Sequence, residues 1–351
     1  MMREFTTPPP LSPGDTVAIL ATSGAHAEMF PHVFELGLER LRNEFELEPV
    51  VYPSVEWDQQ TLEDNPEDRA TELEKAFGDP EIKGIIPVIG GHDQIRVLPH
   101  LDAEILRSNP TRFYGYSDNT SLASYLWNLG ITTFQGPMVM TELAMQGELF
   151  EYTVDYANRA FFEDAIGEIT EPDVFTDHDL DWADPDNLDN RREMEPHPGF
   201  TFSGGSDTVT GRVYGGNLTG IVEHAIANRH IPTTEDLEGC ILALETAEIV
   251  PPIWYVTFML QSLGERGLLE AIDGLLVGRA KARSHRSPKE ADERETYRQE
   301  QREAIEEKMA RYNPDAPIVF DLPFGHTNPT APLPIGGTVT IDPVEEQITA
   351  H

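Results

Sequence analysis

Basic side chains are scarce in this chain, lysine most of all: 25 Lys plus Arg, five of them lysines, stand against 62 Asp plus Glu in 351 residues. A formal charge of −37 repels phosphate backbones and anionic headgroups, which argues against nucleic acid and membrane surfaces as partners. Cysteine is nearly absent. The single Cys240 permits no internal disulfide and no cysteine cluster for zinc, and its setting in Gly239-Cys240-Ile241-Leu242-Ala243-Leu244 reads as a buried, inert thiol. No apolar run approaches the roughly 18 residues of a membrane span. The opening Met1-Met2-Arg3-Glu4-Phe5-Thr6-Thr7 lacks an apolar signal core, so the expected location is the cytoplasm. Internal repeats and low-complexity segments are also lacking.

What is present is a core. Hydrophobic residues make up 39% of the chain and are spread along it, so the acidic excess reads as a hydrated shell on a folded protein and not as disorder. Few lysines with many carboxylates resemble proteins of salt-loving microbes, in whose cytoplasm the Debye length shrinks to about 3 Å and self-repulsion is screened. The charge is therefore read as halophilic adaptation, with function carried elsewhere. A length of 351 residues suggests two domains.

The first half alternates apolar runs with helical patterns. Thr16–Ala21 reads as a buried strand, Glu28–Phe45 as one amphipathic helix, Val50-Val51-Tyr52 as a strand and Glu67–Phe77 as an acidic helix. Gly84–Ile89 and Phe113–Tyr116 read as further strands, with Ser121–Leu129 as an apolar helix. Such alternation predicts an α/β fold with a Rossmann- or flavodoxin-like parallel sheet covered on both faces, whose functional loops lie at the carboxyl ends of the strands. From Glu171 to Pro198 the pattern breaks into Asp, Asn, Pro and Arg, a long excursion at which the domain boundary is placed. The division expected is 1–165 for an N-terminal α/β domain, 166–200 for a linker and substrate loop, and 201–351 for a C-terminal domain. That last part reads as strands at Val209–Gly215, Cys240–Glu245, Gly274–Val277, Ile318–Phe320 and Val339–Ile341. Between them lie helices at Leu218–Ala227 and Ile253–Leu263 and, within Lys289–Tyr312, a solvated amphipathic helix with Tyr297, Gln301, Ile305 and Tyr312 near one face.

Several residues could carry chemistry. Ser117 follows a strand-like segment and precedes a helix, the setting of a nucleophile elbow, although Asn119 and not glycine stands two residues on. A plain helix N-cap by Ser117 or Asp118 is the competing reading. His326 lies just past an apolar strand in a Gly/Pro-bounded loop, as a base or as an ordinary hydrogen-bonded loop histidine. Glu245 emerges where a buried strand meets a loop, and spacing alone leaves Glu248 open beside it. Gly90 and Gly91 follow a strand and let the backbone approach a ligand or simply turn. The segment lacks the later glycine and the lysine of a P-loop.

Four motifs taken together resemble the serine-type LD-carboxypeptidase family, and more closely its branch of microcin C self-immunity proteins. They are Ile89-Gly90-Gly91-His92-Asp93 running to Leu98-Pro99-His100-Leu101-Asp102; Phe113-Tyr114-Gly115-Tyr116-Ser117-Asp118-Asn119-Thr120; Leu242-Ala243-Leu244-Glu245; and Phe324-Gly325-His326-Thr327-Asn328-Pro329 with Leu333-Pro334-Ile335-Gly336. Their order and separations carry the resemblance. It implies a C-terminal mixed α/β domain with a small β-barrel-like, swivelling core. It also implies a Ser117-Glu245-His326 triad split between domains, an oxyanion hole from the amides of Gly91 and Asp118, a homodimer, and no metal or cofactor.

The immunity branch cleaves an amide joining an aminoacyl group to a modified nucleotide, whereas the carboxypeptidase branch trims the L,D bond of murein tetrapeptides. The long excursion holds Trp182, Arg191-Arg192 and Pro198-Gly199-Phe200, resembling the immunity branch's loop, whose tryptophan stacks on the nucleobase. Packing of Trp182 on its own loop is the alternative. Asn217 in Gly215-Gly216-Asn217-Leu218 resembles a nucleotide contact or serves only as a helix cap. Gly90, Trp182 and Asn217 are thus the expected substrate contacts. Three departures stand out: His92-Asp93-Gln94 after the glycine pair, Thr246 after Glu245, and a long 282–312 stretch. The function expected is a serine hydrolase acting on a small peptide or aminoacyl-nucleotide amide. The alternatives are a muramoyl-tetrapeptide L,D-carboxypeptidase and a non-catalytic small-molecule binding protein.

Overall fold

The computed structural model describes residues 4–284 and 287–351, so Met1-Met2-Arg3 of the segment read for a signal core lies outside it. Thr16–Leu20 is fully buried past its first residue and pairs in parallel with Glu48–Val51 on one side and Ile82–Pro87 on the other. Arg112–Phe113 completes a four-stranded parallel sheet. Runs such as Val17-Ala18-Ile19-Leu20 are apolar throughout because helices cover both faces, leaving no solvent side for polar residues to occupy. With the second strand outermost and the first inside it, the order is the flavodoxin-like one, which opens its crevice at the carboxyl ends of the first and third strands.

The expected single helix over 28–45 is two: His26–Met29 and Pro31–Asn43. Pro31 drives Phe30 out of the helical region, to φ −133° and ψ 64°, and has no N–H to continue the ladder. The strand expected through Tyr116 ends at Phe113, because Gly115 takes φ +147° and turns the chain out of the sheet.

The second half is built on an eight-stranded mixed sheet. From edge to edge it runs Gly167–Glu168, Gln347–Ala350, Thr338–Asp342, Val209–Asn217, Cys240–Glu245, Gly274–Gly278, Pro317–Leu322 and Thr201–Gly204. Its four central strands are parallel and the outer ones antiparallel. The sheet curls into a half-barrel, which is the barrel-like core expected, open along one side. The outer strands Gly167–Glu168 and Gln347–Ala350 at one side and the edge strand Thr201–Gly204 at the other were not legible in the sequence, being short and only partly apolar. Cys240 is buried on the second central strand, and burial pushes its thiol up to about 11, which keeps it unreactive.

The helix Ala291–Tyr312 buries Tyr297, Gln301 and Ile305 on one face, as its pattern predicts, together with Arg294 and Arg298, while Tyr312 at its end is only half-buried. Those guanidiniums meet carboxylates from the long excursion. Asp177, whose side chain is fully buried, lies 2.7 Å from Arg298 and 2.8 Å from Arg283, and Glu195 lies 2.7 Å from Arg294. The excursion also forms its own antiparallel pair, Val174–Phe175 with Glu195–Pro196. It is thereby pinned to the second half of the chain while it arches over the crevice of the first. Contacts close the seam directly: Trp127 Nε1 donates to the Val213 carbonyl at 3.0 Å, and the Asn217 amide donates to Thr120 Oγ1 at 2.9 Å. No described helix is long and apolar enough to cross a membrane.

Candidate active site

The turn after Arg112–Phe113 carries Ser117 at φ +62°, a left-handed conformation that a non-glycine residue holds only when its surroundings enforce it. Asn119 supplies much of that enforcement. Its Nδ2 donates to the carbonyls of Ile89 at 3.2 Å and Tyr116 at 3.3 Å, and its Oδ1 accepts from Thr22 Oγ1 and Gln94 Nε2, both at 2.7 Å. One amide thus joins the loops that follow three strands of the sheet. The glycine of this elbow precedes the serine: a Cβ on Gly115 would stand 3.1 Å from Asn119 Cβ, so glycine is needed there for Asn119 to fit. The helix-cap reading of Ser117 and Asp118 fails, since neither the Ser117–Asn119 turn nor the Thr120–Leu129 helix has a side-chain cap. Asp118 instead turns its buried carboxylate to Ser23 Oγ and to the Gln94 amide, at 2.9 Å from the latter, and burial raises its pKa.

Gly90 packs against the serine. A Cβ there would fall 2.8 Å from Ser117 Cβ, 2.9 Å from its Oγ and 3.3 Å from the Asp118 amide nitrogen, while one on Gly91 would run into Ser23. The departure His92-Asp93-Gln94 has a structural use. Buried Arg69 grips Asp93 with two bonds of 3.0 Å, and Gln94 reaches both Asn119 and the Leu122 amide. The segment clamps the elbow from behind.

The second half contributes the facing groups. Glu245 is the last residue of its strand, in register with Asn217, and is 1% exposed. Its Oε1 accepts from Asn217 Nδ2 at 2.9 Å and its Oε2 from His326 Nδ1 at 2.6 Å. Two glycines let His326 come this close: a Cβ on Gly278 would lie 2.9 Å from Glu245 Cβ, and one on Gly325, at φ +93°, would lie 2.8 Å from its Cβ, Cγ and Oε2. His326 Nε2 stands 3.2 Å from Ser117 Oγ across the seam, and also 3.2 Å from Glu248 Oε2. Burial opposes a charge on this imidazole. The Glu245 carboxylate and the hydrogen bonds to both glutamates outweigh it and lift His326 to about 10. The same contact, against burial, holds Glu248 down to about 2.

A cavity of about 550 Å³ opens over Ser117 and His326. Trp182 stands on its wall, edge-on to Phe30 at 5.8 Å and to His26 at 6.2 Å, so it both packs on neighbours and faces the space. Arg192 and Lys281 reach the same wall, with Lys281 Nζ 2.6 Å from Asp179 and Arg192 on Gln146 at 2.8 Å. Gly90 and Gly91 line the cavity, but Asn217 does not. Its Oδ1 caps the helix Leu218–Ala227 through the Thr219 and Gly220 amides, and its amide group is turned to Glu245. Sequence reasoning missed Asn119, Ser23, Asp179 and Lys281. Lys281 did carry a signal, as one of five lysines in a strongly acidic chain. Among the described residues no group of three or more His, Cys, Asp or Glu stands together so as to hold a metal ion.

Known proteins share this architecture. Residues 17–136 match the LD-carboxypeptidase N-terminal domain and residues 210–341 the LD-carboxypeptidase C-terminal domain.

The chain belongs to the LD-carboxypeptidase family.

Membership makes it a serine peptidase or amidohydrolase. An MccF-like protein from Streptococcus pneumoniae, solved in complex with AMP, superposes with a TM-score of 0.86 at 29% identity, covering 96% of this chain and 99% of that one. The microcin C7 self-immunity protein MccF of Escherichia coli is 25% identical over 95% of this chain and 92% of its own. A structure of MccF in complex with aspartyl sulfamoyl adenosine has the same fold at a TM-score of 0.82 and 23% identity. Within the family, this chain stands with the MccF-like branch.

Proposed function

We propose that Ser117 is the nucleophile, His326 the base and Glu245 the orienting acid of a hydrolase that cleaves the amide joining an aminoacyl group to a nucleotide. The observation that carries this reading is the unbroken hydrogen-bond path from Ser117 Oγ through both nitrogens of His326 to Glu245 Oε2, at 3.2 and 2.6 Å. Neutral His326 takes the Ser117 proton as Oγ attacks the acyl carbon, then returns it to the leaving nitrogen; water repeats the sequence on the acyl-enzyme. Glu245 keeps Nδ1 protonated and stabilises the imidazolium formed in between. The amides of Asp118 and Gly91 receive the oxyanion, in space that the missing side chain of Gly90 keeps open beside Ser117 Oγ. Trp182 on the cavity wall provides a stacking face for the nucleobase, worth about 1–3 kcal/mol. The AMP complex of the pneumococcal relative supports a nucleotide ligand. Homodimerisation belongs to the same proposal and rests on the resemblance.

The test is turnover of alanyl sulfamoyl-adenosine and of a murein-type L,D-tetrapeptide by wild type and Ser117→Ala, with labelling by an uncharged fluorophosphonate. The expected result is cleavage of the nucleotide conjugate, lost by at least about 10³-fold in Ser117→Ala together with the label. Retained turnover or labelling in that variant would remove Ser117 from the mechanism. Cleavage of the tetrapeptide alone would transfer the enzyme to the murein branch.

A further inference from the structure

The geometry points to a second role at the same site: Glu248 is the subsite for a cationic group of the substrate, an ammonium beside the scissile carbonyl, and its arrival frees His326 to act on Ser117. The inference rests on the hydrolase reading above and goes beyond it by naming the charge that the acyl part of the substrate must carry.

Its basis is a competition at one atom. His326 Nε2 lies 3.2 Å from Ser117 Oγ and 3.2 Å from Glu248 Oε2. A carboxylate only accepts hydrogen bonds, so contact with Glu248 requires a proton on Nε2. A base for Ser117 requires that same nitrogen bare. Use of Nε2 as the base for Ser117 and its contact with Glu248 therefore belong to different protonation states, and the imidazolium, with Glu245 on Nδ1 and Glu248 on Nε2, is the state this arrangement stabilises. Glu245 cannot be the removable partner, being 1% exposed and held by Asn217. Glu248 can, because its side chain is 55% exposed and lines the cavity.

The groups around this pair leave Glu248 without another strong cation. His326 is its only ion-pair contact among the described residues. Lys281 acts on it through space but is committed to Asp179 at 2.6 Å, and Arg192 also leans toward Asp179, at 3.7 Å. His26, across the cavity, is kept toward its neutral form by burial, and Tyr116, packed edge-on against His326 at 5.1 Å, hydrogen-bonds Glu142. Once His326 becomes neutral, Glu248 is an uncompensated carboxylate facing a partly apolar cavity. A substrate ammonium restores the balance. It pairs with Glu248 as the Nε2 proton leaves for bulk water, so one cation replaces another, the charge of the site is unchanged, and one proton is released per ligand bound. An aminoacyl donor with a free α-amine carries such a group two bonds from the carbonyl that Ser117 attacks; an N-acylated one does not.

The experiment compares the full-length wild type with Glu248→Gln. The rate of Ser117 labelling by an uncharged fluorophosphonate is followed from pH 6 to about pH 10, the range below the raised His326 value in which the base is blocked. Protection against labelling is then measured with alanyl sulfamoyl-adenosine and with its N-acetylalanyl form. In the wild type, labelling climbs with pH and the free amine protects about 10- to 100-fold better than the acetylated compound, the value of a charged hydrogen bond. In Glu248→Gln the climb moves to lower pH and the preference collapses toward unity. A climb that stays where it was, or a preference that survives the substitution, would overturn the assignment. Either outcome is distinct from failure of the hydrolase reading, which would show as labelling that persists in Ser117→Ala.

Discussion

Replacing Glu245 by Gln turns the support behind the histidine into a test of proton placement. Asn217 Oδ1 is committed to the Thr219 and Gly220 amides, so its Nδ2 must point at residue 245 as a donor. An amide at 245 therefore has to offer its oxygen to Asn217 and its NH₂ to His326. The imidazole then accepts at Nδ1 and carries its proton on Nε2, where no lone pair remains for Ser117. Glu245 is 1% exposed, so bulk solvent does not reach its carboxylate to relieve the mismatch. Loss of the correct tautomer costs about 10⁴-fold in kcat in the Ser-His-Asp hydrolases, and the same size of loss is expected here. Adding Asn217→Asp reverses the logic: an aspartate still caps the helix but accepts from the glutamine NH₂, which flips the amide and presents its oxygen to Nδ1–H. The double variant is expected to recover about 10- to 100-fold over Glu245→Gln, whereas Asn217→Asp alone, setting two carboxylates 2.9 Å apart, is expected to be impaired; such a sign-reversing cycle marks direct coupling. The assay is kcat at a pH where the wild type is fully active, with circular dichroism to confirm folding. A double variant no faster than Glu245→Gln would show that Asn217 does not set the orientation of residue 245.

Two further outcomes follow from the site. Gly325→Ala places a methyl 2.8 Å from three atoms of Glu245; it is expected to lower stability by about 1–3 kcal/mol and to abolish most activity. Gly14→Ala, equally left-handed at φ +87° but with open space around it, keeps activity, and a matching loss there would show that backbone strain and not the contact with Glu245 matters. Trp182→Ala is expected to weaken AMP binding in calorimetry by about 5- to 150-fold, the equivalent of one stacked base, and unchanged affinity would place the nucleobase elsewhere in the cavity.

Much of the fold was legible because it rests on local chemistry. Val17–Leu20 and Ile241–Leu244 are buried on both faces and so read as uninterrupted apolar strands, and the helix Ala291–Tyr312 shows its inward face as Tyr297, Gln301 and Ile305. Reading failed where one residue overrules a pattern, as Pro31 does in splitting the helix expected over 28–45. It failed also where a strand exists only because a partner is present, as with Thr201–Gly204 along Pro317–Leu322. At the site, Ser117, Glu245 and His326 could each be singled out from their neighbours in sequence, since a polar residue ending an apolar strand needs a reason to be there. Their meeting was implied only by the resemblance of the four motifs to a known family, since nothing in their local chemistry pairs them.

The sequence by itself determined a folded, acidic, two-sheet α/β protein and the three residue types a hydrolase of this kind needs, because strand burial, helix periodicity and loop glycines are written within a few residues of one another. Only the tertiary structure decided that Ser117 and His326, 209 positions apart, face each other at the seam, that Asn217 is occupied behind Glu245, and that Glu248 contends with Ser117 for one nitrogen. The first is a distance between groups on different sheets, fixed by how Thr120, Trp127 and the arginine-pinned excursion dock the two halves. The others follow from strand pairing and loop placement within the second half, and the order of the residues along the chain contains none of them.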